Sequence, residues 1–230
     1  MKLSNFVILT TNNQRSKHYL RALNSNNYQP NFNVIMFDSS LRGPGQRDDD
    51  DIQDLLKLTE NIEYKIIKTL NVNSDELCYA LKDRPEKYVI YAGPGGQILR
   101  KRILSINKQF LHIHPGKLPE YRGSTTIYYQ ILDQRKVGVS AIFFSLELDG
   151  GPIIRIEYFD LPNIKEDLDY TFDPRIRSET LIRTIDSFLE KGSFEILDQK
   201  KEEGETFYIA HPVLRHIVKL KSLRQKESLD

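Results

Sequence analysis

The sequence predicts an α/β fold in which an open, mostly parallel sheet carries helices on both faces. Short apolar runs at residues 6–9, 34–37, 88–91 and 110–114 are typical of buried parallel strands, and segments of helical character lie between them. The chain has 230 residues, of which 39% are hydrophobic and 28% are charged, an ordinary globular composition. We therefore expect one main domain with a single core.

Several segments between and after these strands have the spacing of helices or further strands. Helices are predicted over residues 14–23 and 76–82, the second with Asn73 or Ser74 as its N-cap, because short polar side chains there accept hydrogen bonds from the first turn. The remaining predicted elements are a helix over residues 125–132, strands over 137–144 and 153–159, and an amphipathic helix over 177–191.

Two segments are predicted as surface loops. Residues 39–51 contain turn residues and a run of four Asp, whose like charges repel, and residues 200–205 are mostly charged. We expect a main domain over residues 1–192. Residues 193–230 are then a short C-terminal extension that packs on this domain or at the interface of a homodimer.

The charge balance and the apolar segments exclude several classes of partner. The chain has 33 Lys and Arg against 32 Asp and Glu, so its net charge of +1 gives no field that would attract nucleic acid or an anionic membrane. No run approaches the roughly 20 apolar residues of a membrane span, and nothing near Met1 resembles a signal peptide. The single cysteine, Cys78, fits a reducing compartment, and we expect a cytoplasmic protein.

Two histidines and an aspartate stand where strands are predicted to end. His112 and His114 project to the same side of one strand, which Pro115 terminates at an edge where α/β sheets place ligands. Asp149 follows a second strand, in a turn loosened by Gly150. A histidine and a carboxylate brought together in this way could act as a general base, although the spacing alone leaves a structural role open.

A metal site is a competing interpretation of the same residues. His112, His114 and Asp149 could hold zinc or iron, which accept imidazole and carboxylate ligands. The other three histidines, His18, His211 and His216, have no matching spacing, and we expect no metal.

The longer motifs around these residues resemble a known family. Residues 114–123, HPGKLPEYRG, and residues 148–154, LDGGPII, are similar to the formyltransferases that use 10-formyltetrahydrofolate. That family includes glycinamide ribonucleotide, methionyl-tRNA and sugar N-formyltransferases. The resemblance covers about residues 88–158 most specifically, and it implies a Rossmann-like fold, a one-carbon transferase and 10-formyltetrahydrofolate as co-substrate.

The resemblance also implies roles for individual residues. The family's catalytic set is Asn-x-His with a later Asp, so His114 and Asp149 match, whereas His112 stands in the place of the Asn. His112 could preserve the activity, change the acyl group or weaken the enzyme, and a non-catalytic folate-binding paralogue is one alternative. By resemblance, the folate would contact Gly96, Gln97, Ile98 and Leu99 on one side and Glu147 and Leu148 on the other. The candidates for contact with the acceptor are Tyr121, Arg122, Gly123, Ser124 and Thr125.

The acceptor is predicted by elimination. Glycinamide ribonucleotide enzymes bind their substrate phosphate with a glycine-rich turn after the first strand, whereas residues 10–15 here contain no glycine. Methionyl-tRNA enzymes add a C-terminal β-barrel, whereas 40 residues follow Glu190 here. We therefore expect a nucleotide-linked amino sugar destined for surface polysaccharide, with a glycinamide ribonucleotide enzyme as the alternative.

Overall fold

The structure is a computed structural model that describes residues 1–38, 50–162, 166–200 and 203–224. Its contacts group into two compact units, residues 1–112 and residues 113–230. The division falls inside one strand, between His112 and Ile113. Among the described residues, no helix combines the length and the apolar character that a membrane span requires.

The first unit is built on parallel strands with helical connections. The strands lie in the order β3-β2-β1-β4-β5, and each neighbouring pair is parallel. Their bounds are β1 (Lys2–Thr11), β2 (Gln29–Met36), β3 (Tyr64–Ile67), β4 (Tyr88–Ala92) and β5 (Gln109–His114). The helices are α1 (Gln14–Ser25), α2 (Asp50–Leu58), α3 (Asp75–Lys82) and α4 (Lys101–Leu104). Residues 6–9 of β1 are all buried, as expected for a sheet covered on both faces.

The second unit combines an antiparallel strand pair with helices and a small two-stranded sheet. Its elements are β6 (Tyr121–Gly123), α5 (Thr126–Asp133), β7 (Lys136–Phe143), β8 (Ile153–Asp160), a π-helix (Leu168–Phe172), α6 (Asp173–Lys191), β9 (Glu205–Phe207) and α7 (Pro212–Arg224). β7 pairs antiparallel with β8, and β6 pairs parallel with β9. α6 packs against both strands of the antiparallel pair.

The predicted fold class is confirmed, since the parallel strands of the first unit alternate with helices and the antiparallel pair adds two more strands. Ser74 is the N-cap of α3, because its hydroxyl accepts from the amide of Leu77. The sequence did not predict β3, β6 or β9, which have only three or four residues each, nor α7.

The two predicted loops need correction at their ends. Residues 39–49 and 201–202 lie outside the described residues. Asp50 and Asp51 begin α2 instead of belonging to the loop. Glu205 begins β9, where it pairs with Tyr121, instead of ending a charged loop.

A buried ion pair ties the segment before β4 to β2. The Arg84 guanidinium donates to both oxygens of Glu86, at 3.0 and 2.8 Å, and Asn31 donates to the same carboxylate. The side chain of Glu86 is fully buried. Burial raises the pKa of Glu86, but the hydrogen bonds from Arg84 and Asn31 outweigh it and hold the pKa below its usual value. Glu86 therefore stabilises the fold as a carboxylate.

We expect Glu86→Gln to lower the free energy of unfolding at neutral pH by about 1–3 kcal/mol, the usual value for hydrogen bonds to a charged group. The carboxylate stabilises the fold fully above the unfolded-state pKa of about 4.3, and this stabilisation is lost as the pH falls through the lower folded-state pKa. Urea denaturation of both proteins between about pH 7 and about pH 3 measures the change. A difference that stayed constant over that range would contradict a charged Glu86.

Candidate active site

The ring of His114 is fixed at the end of β5 by the loop that follows. His114 is 1% exposed, and its Nε2 lies 2.7 Å from the carbonyl oxygen of Tyr121. A carbonyl oxygen only accepts hydrogen bonds, so Nε2 carries a proton. A Cβ at Gly116 would lie 2.5 Å from that nitrogen and 2.4 Å from that oxygen. Glycine at position 116 therefore allows the contact to form.

Asp149 faces the other nitrogen of the same ring. It is 7% exposed, and its Oδ2 accepts from the amide of Gly123 at 2.8 Å and lies 3.5 Å from Nδ1 of His114. The backbone of Asp149 is left-handed, with φ of 49°. The predicted convergence of these two distant residues is thus present within the second unit.

This geometry determines what the pair can do with protons. With Nε2 protonated, a neutral His114 presents the lone pair of Nδ1 to a carboxylate oxygen of Asp149, and two acceptors repel. A proton on either Nδ1 or the carboxylate makes the contact attractive. The pair is therefore arranged to receive one proton from a reacting group.

The backbone of Gly123 holds β6 in place beside Asp149. Gly123 has φ of 99°, and a Cβ there would lie 2.1 Å from the carbonyl oxygen of Phe207 in β9. The Phe207 ring stacks on Tyr121, with 5.3 Å between centroids, and lies 4.6 Å from the ring of Tyr129. β6 and β9 thus approach each other too closely for any side chain at position 123.

The predicted acceptor-binding residues make contacts within the second unit. The Tyr121 hydroxyl donates to Asp133 at 3.2 Å, and burial raises its pKa above the usual value, with the Asp133 charge acting in the same direction. The Arg122 Nη2 donates to the side-chain oxygen of Gln199 and to the carbonyl of Lys200, both at 3.2 Å. These side chains therefore support the loops around the site.

Ser124 and Thr125, the last two residues predicted to contact the acceptor, connect the start of α5 to the C-terminal segment. The amide of Ser124 donates to the carbonyl of Phe207 at 2.8 Å. Thr125 has φ of 52°, and its hydroxyl donates to the carbonyl of Tyr208 and accepts from the amide of Ala210 at 2.7 Å. The segment after α6 is thus bound along residues 120–125.

In the first unit, His112 lies against the ring of Tyr91. The two rings meet edge to face with 6.0 Å between centroids, and the Tyr91 hydroxyl donates to the carbonyl of Pro94 at 2.6 Å. Burial raises the pKa of Tyr91 to about 12 despite the nearby charge of Arg15, so the phenol stays neutral. His112 precedes His114 by two residues on β5, so both side chains project from the same side of that strand.

The predicted folate segment is held by polar side chains. Gln97 donates to the carbonyl of Leu70 at 2.7 Å and accepts from the amide of Val72 at 3.1 Å. Asn73 donates to the carbonyl of Ile98 at 2.9 Å and accepts from the amide of Arg100 at 2.7 Å.

This segment and the turn before Asp149 each expose an apolar side chain beside polar ones. Gly96 has φ of 72° and no atom near its Cβ position, so only its backbone conformation favours glycine. Leu99 is buried, whereas Ile98 is 58% exposed. In the second unit, Leu148 is 44% exposed and the backbone of Glu147 is bonded to Ser145.

The sequence does not predict the supporting roles of three residues: Gln199, Tyr91, and Asn73 as a residue that anchors the loop of residues 97–100. Gln199 Nε2 donates to the carbonyls of Asp149 and Gly151, at 2.8 and 2.6 Å. No local sequence signal distinguishes this glutamine, because its partners lie about 50 residues earlier in the chain.

We expect Gly123→Ala to lower the free energy of unfolding by roughly 2 kcal/mol or more, because the new Cβ must displace β9 and break the amide contact with Asp149. The matched control is Gly192→Ala, since Gly192 also has a positive φ of 72° but no atom within 4 Å of its Cβ position. The control is expected to cost about 1 kcal/mol, the strain of the left-handed conformation alone. Equal losses in urea denaturation would argue against the close approach.

Known proteins are similar to this chain in sequence and in fold. The sequence profile of the formyl transferase family matches residues 3–177. The methionyl-tRNA formyltransferase of Halothermothrix orenii is 27% identical over 179 residues, which cover 75% of this chain and 54% of that protein. The chain spans about half or less of the length of the curated relatives it matches.

Two solved structures have a similar fold. A sugar N-formyltransferase from Shewanella sp FDAARGOS_354 has a TM-score of 0.61 and 17% identity, and the match covers 95% of this chain and 87% of that chain. The N-formyltransferase from Helicobacter canadensis in complex with folinic acid and dTDP-3-aminofucose has a TM-score of 0.60 and 18% identity, over 97% and 82% of the two chains. With the family profile matching residues 3–177 of 230, the chain belongs to the formyl transferase family.

Proposed function

We propose that this protein transfers a formyl group from 10-formyltetrahydrofolate to a primary amine, and that the acceptor is a nucleotide-linked amino sugar. The observation that carries the proposal is the 3.5 Å approach of Asp149 Oδ2 to His114 Nδ1, with the opposite ring nitrogen bound to the carbonyl of Tyr121. Family membership supports the folate as donor. The complex of the Helicobacter canadensis protein supports the acceptor class.

In the proposed reaction, the acceptor amine attacks the formyl carbon and forms a tetrahedral oxyanion. The amine must lose a proton, and the His114–Asp149 pair is arranged to take it directly or through one water molecule. The bond between the carbon and N10 of the folate then breaks, and the proton returns to N10. The pair therefore ends the reaction in its starting protonation state.

His112 is the proposed donor to the oxyanion. A ring N–H can donate to the formyl oxygen, as the family's Asn amide does, and a charged imidazole would stabilise the oxyanion more strongly. Tyr91, packed edge-on against the ring, supports a defined orientation for His112.

The folate is proposed to bind against the backbone of Gly96, Gln97, Ile98 and Leu99, and against Glu147 and Leu148. The exposed apolar side chains of Ile98 and Leu148 support this, since a pteridine ring buries apolar surface. The hydrogen bonds of Gln97 to the backbone of residues 70 and 72 support a preformed segment. Acceptor contacts are proposed for Tyr121, Arg122, Gly123, Ser124 and Thr125.

The start of α1 supports an acceptor other than glycinamide ribonucleotide. The Asn13 side chain accepts from the amide of Ser16 at 2.8 Å and donates to the carbonyl of Gly93 at 3.2 Å. A phosphate bound at this helix end would have to displace those contacts. We further propose a catalytic domain over residues 1–192 and a cytoplasmic location, while the homodimer stays a prediction.

The proposal is tested with purified protein, 10-formyltetrahydrofolate and a panel of amines: several nucleotide-linked amino sugars, glycinamide ribonucleotide and methionyl-tRNA. Release of tetrahydrofolate is expected with at least one amino sugar and with neither other acceptor. A chelator is expected to leave the rate unchanged, because the proposed chemistry uses no metal. Turnover with methionyl-tRNA or glycinamide ribonucleotide alone would overturn the acceptor, and folate binding without turnover on any amine would favour a non-catalytic paralogue.

The variant His112→Asn restores the residue of the family motif and tests the role of the unusual histidine. We expect turnover to fall roughly tenfold, because the shorter Asn side chain places its N–H differently from the imidazole that packs against Tyr91. The control is Tyr79→Phe, which alters an exposed side chain of α3. A rise in turnover would instead identify His112 as the mark of a weakened enzyme.

A further inference from the structure

Gln199 connects the turn that carries Asp149, the candidate catalytic carboxylate, to Arg122 in β6. Nε2 of Gln199 donates to the carbonyl of Asp149 at 2.8 Å and to the carbonyl of Gly151 at 2.6 Å. Its Oε1 accepts from Nη2 of Arg122 at 3.2 Å. Both N–H groups of the amide are thus used on the turn that carries Asp149.

This turn has a backbone that needs external support. Asp149 is left-handed, with φ of 49°, a conformation that side chains other than glycine adopt less readily. Gly151 packs so closely that a Cβ would lie 1.8 Å from the carbonyl of Phe143. A strained backbone persists where surrounding contacts over-determine it. The two hydrogen bonds from Gln199 are such contacts.

Gln199 is itself held on both sides. Before it, Leu197 and Ile153 exchange two backbone hydrogen bonds of 2.8 Å each. After it, the carbonyl of Lys200 accepts from Arg122 at 3.2 Å. Since a guanidinium group only donates, Arg122 requires the oxygen of the Gln199 amide to face it. The NH2 group is then directed at the two carbonyls of the turn.

We propose that Gln199 is a positioning residue for the reaction. Its amide fixes the backbone of Asp149 so that the carboxylate stays 3.5 Å from Nδ1 of His114. Gln199 lies beyond residues 3–177, the part matched by the family profile, so the segment after α6 completes the site. The inference rests on the proposed formyl transfer.

Two substitutions separate the donor from the acceptor of this amide. Gln199→Met has a similar size and can form neither the two hydrogen bonds to the turn nor the one from Arg122. Gln199→Glu keeps an oxygen that accepts from Arg122 but loses both N–H donors. We expect kcat to fall about tenfold in both, because small misplacements of catalytic groups are costly. The KM values should change by less than about threefold, since the lost contact is within the enzyme and not with a substrate.

The acidic limb of the rate–pH profile should also shift in both variants. The matched control is Asp198→Ala, a change at the exposed neighbouring residue.

The outcomes distinguish positioning from a merely structural role. A lower melting temperature with unchanged kcat and pH profile would overturn the proposal, and so would a normal kcat in Gln199→Glu. Hydrogen exchange of the amides of residues 147–151 and 153 gives a readout that needs no turnover. It is expected to rise in both Gln199 variants and not in Asp198→Ala. If the wild-type protein formylates no amine, the proposed function fails, whereas unchanged exchange refutes the positioning contact itself.

Discussion

One imidazole ring with a defined partner at each nitrogen is the constraint on which the candidate site depends. His114 contacts a backbone carbonyl at Nε2 and a carboxylate at Nδ1. Because the first partner belongs to the main chain, the tautomer does not depend on the side chain at position 121. That side chain is free to stack on Phe207 and to bond Asp133, which holds the same loop from its other side. The backbone of Tyr121 thus orients the His114 ring, while the Tyr121 side chain stabilises the fold.

The carboxylate partner depends on close packing of the main chain. Gly123 offers its amide to Asp149 only because no Cβ separates it from β9, and Asp149 adopts a left-handed conformation to face the ring. Short contacts of this kind tolerate few substitutions, because a Cβ would have to push apart two backbone segments. The segment after α6 supplies much of this support, through β9 and through Gln199. Its sequence alone had suggested only a tail or a subunit contact.

The fold and the approach of His114 to Asp149 could be predicted because their signals are local or motif-like. Buried strands such as residues 6–9 are continuous apolar runs, and the HPG and LDGG motifs mark His114 and Asp149. The three-residue strands β6 and β9 could not be predicted, because they are too short to have a period and pair across about 80 residues. The amide of Gln199 gave no signal for the same reason: its importance depends on distant backbone carbonyls.

His112 is the principal departure of this chain from the family motif, whereas the proposed proton transfer depends on the ring of His114. The most direct test of this proton transfer is therefore to determine which nitrogen of His114 carries a proton, by ¹⁵N NMR of the imidazole rings in the wild-type protein. We predict a ring that keeps its Nε2 proton at neutral pH, in a hydrogen bond with the carbonyl of Tyr121. A bare Nε2 with the proton on Nδ1, or a ring whose nitrogens exchange freely with solvent, would contradict it.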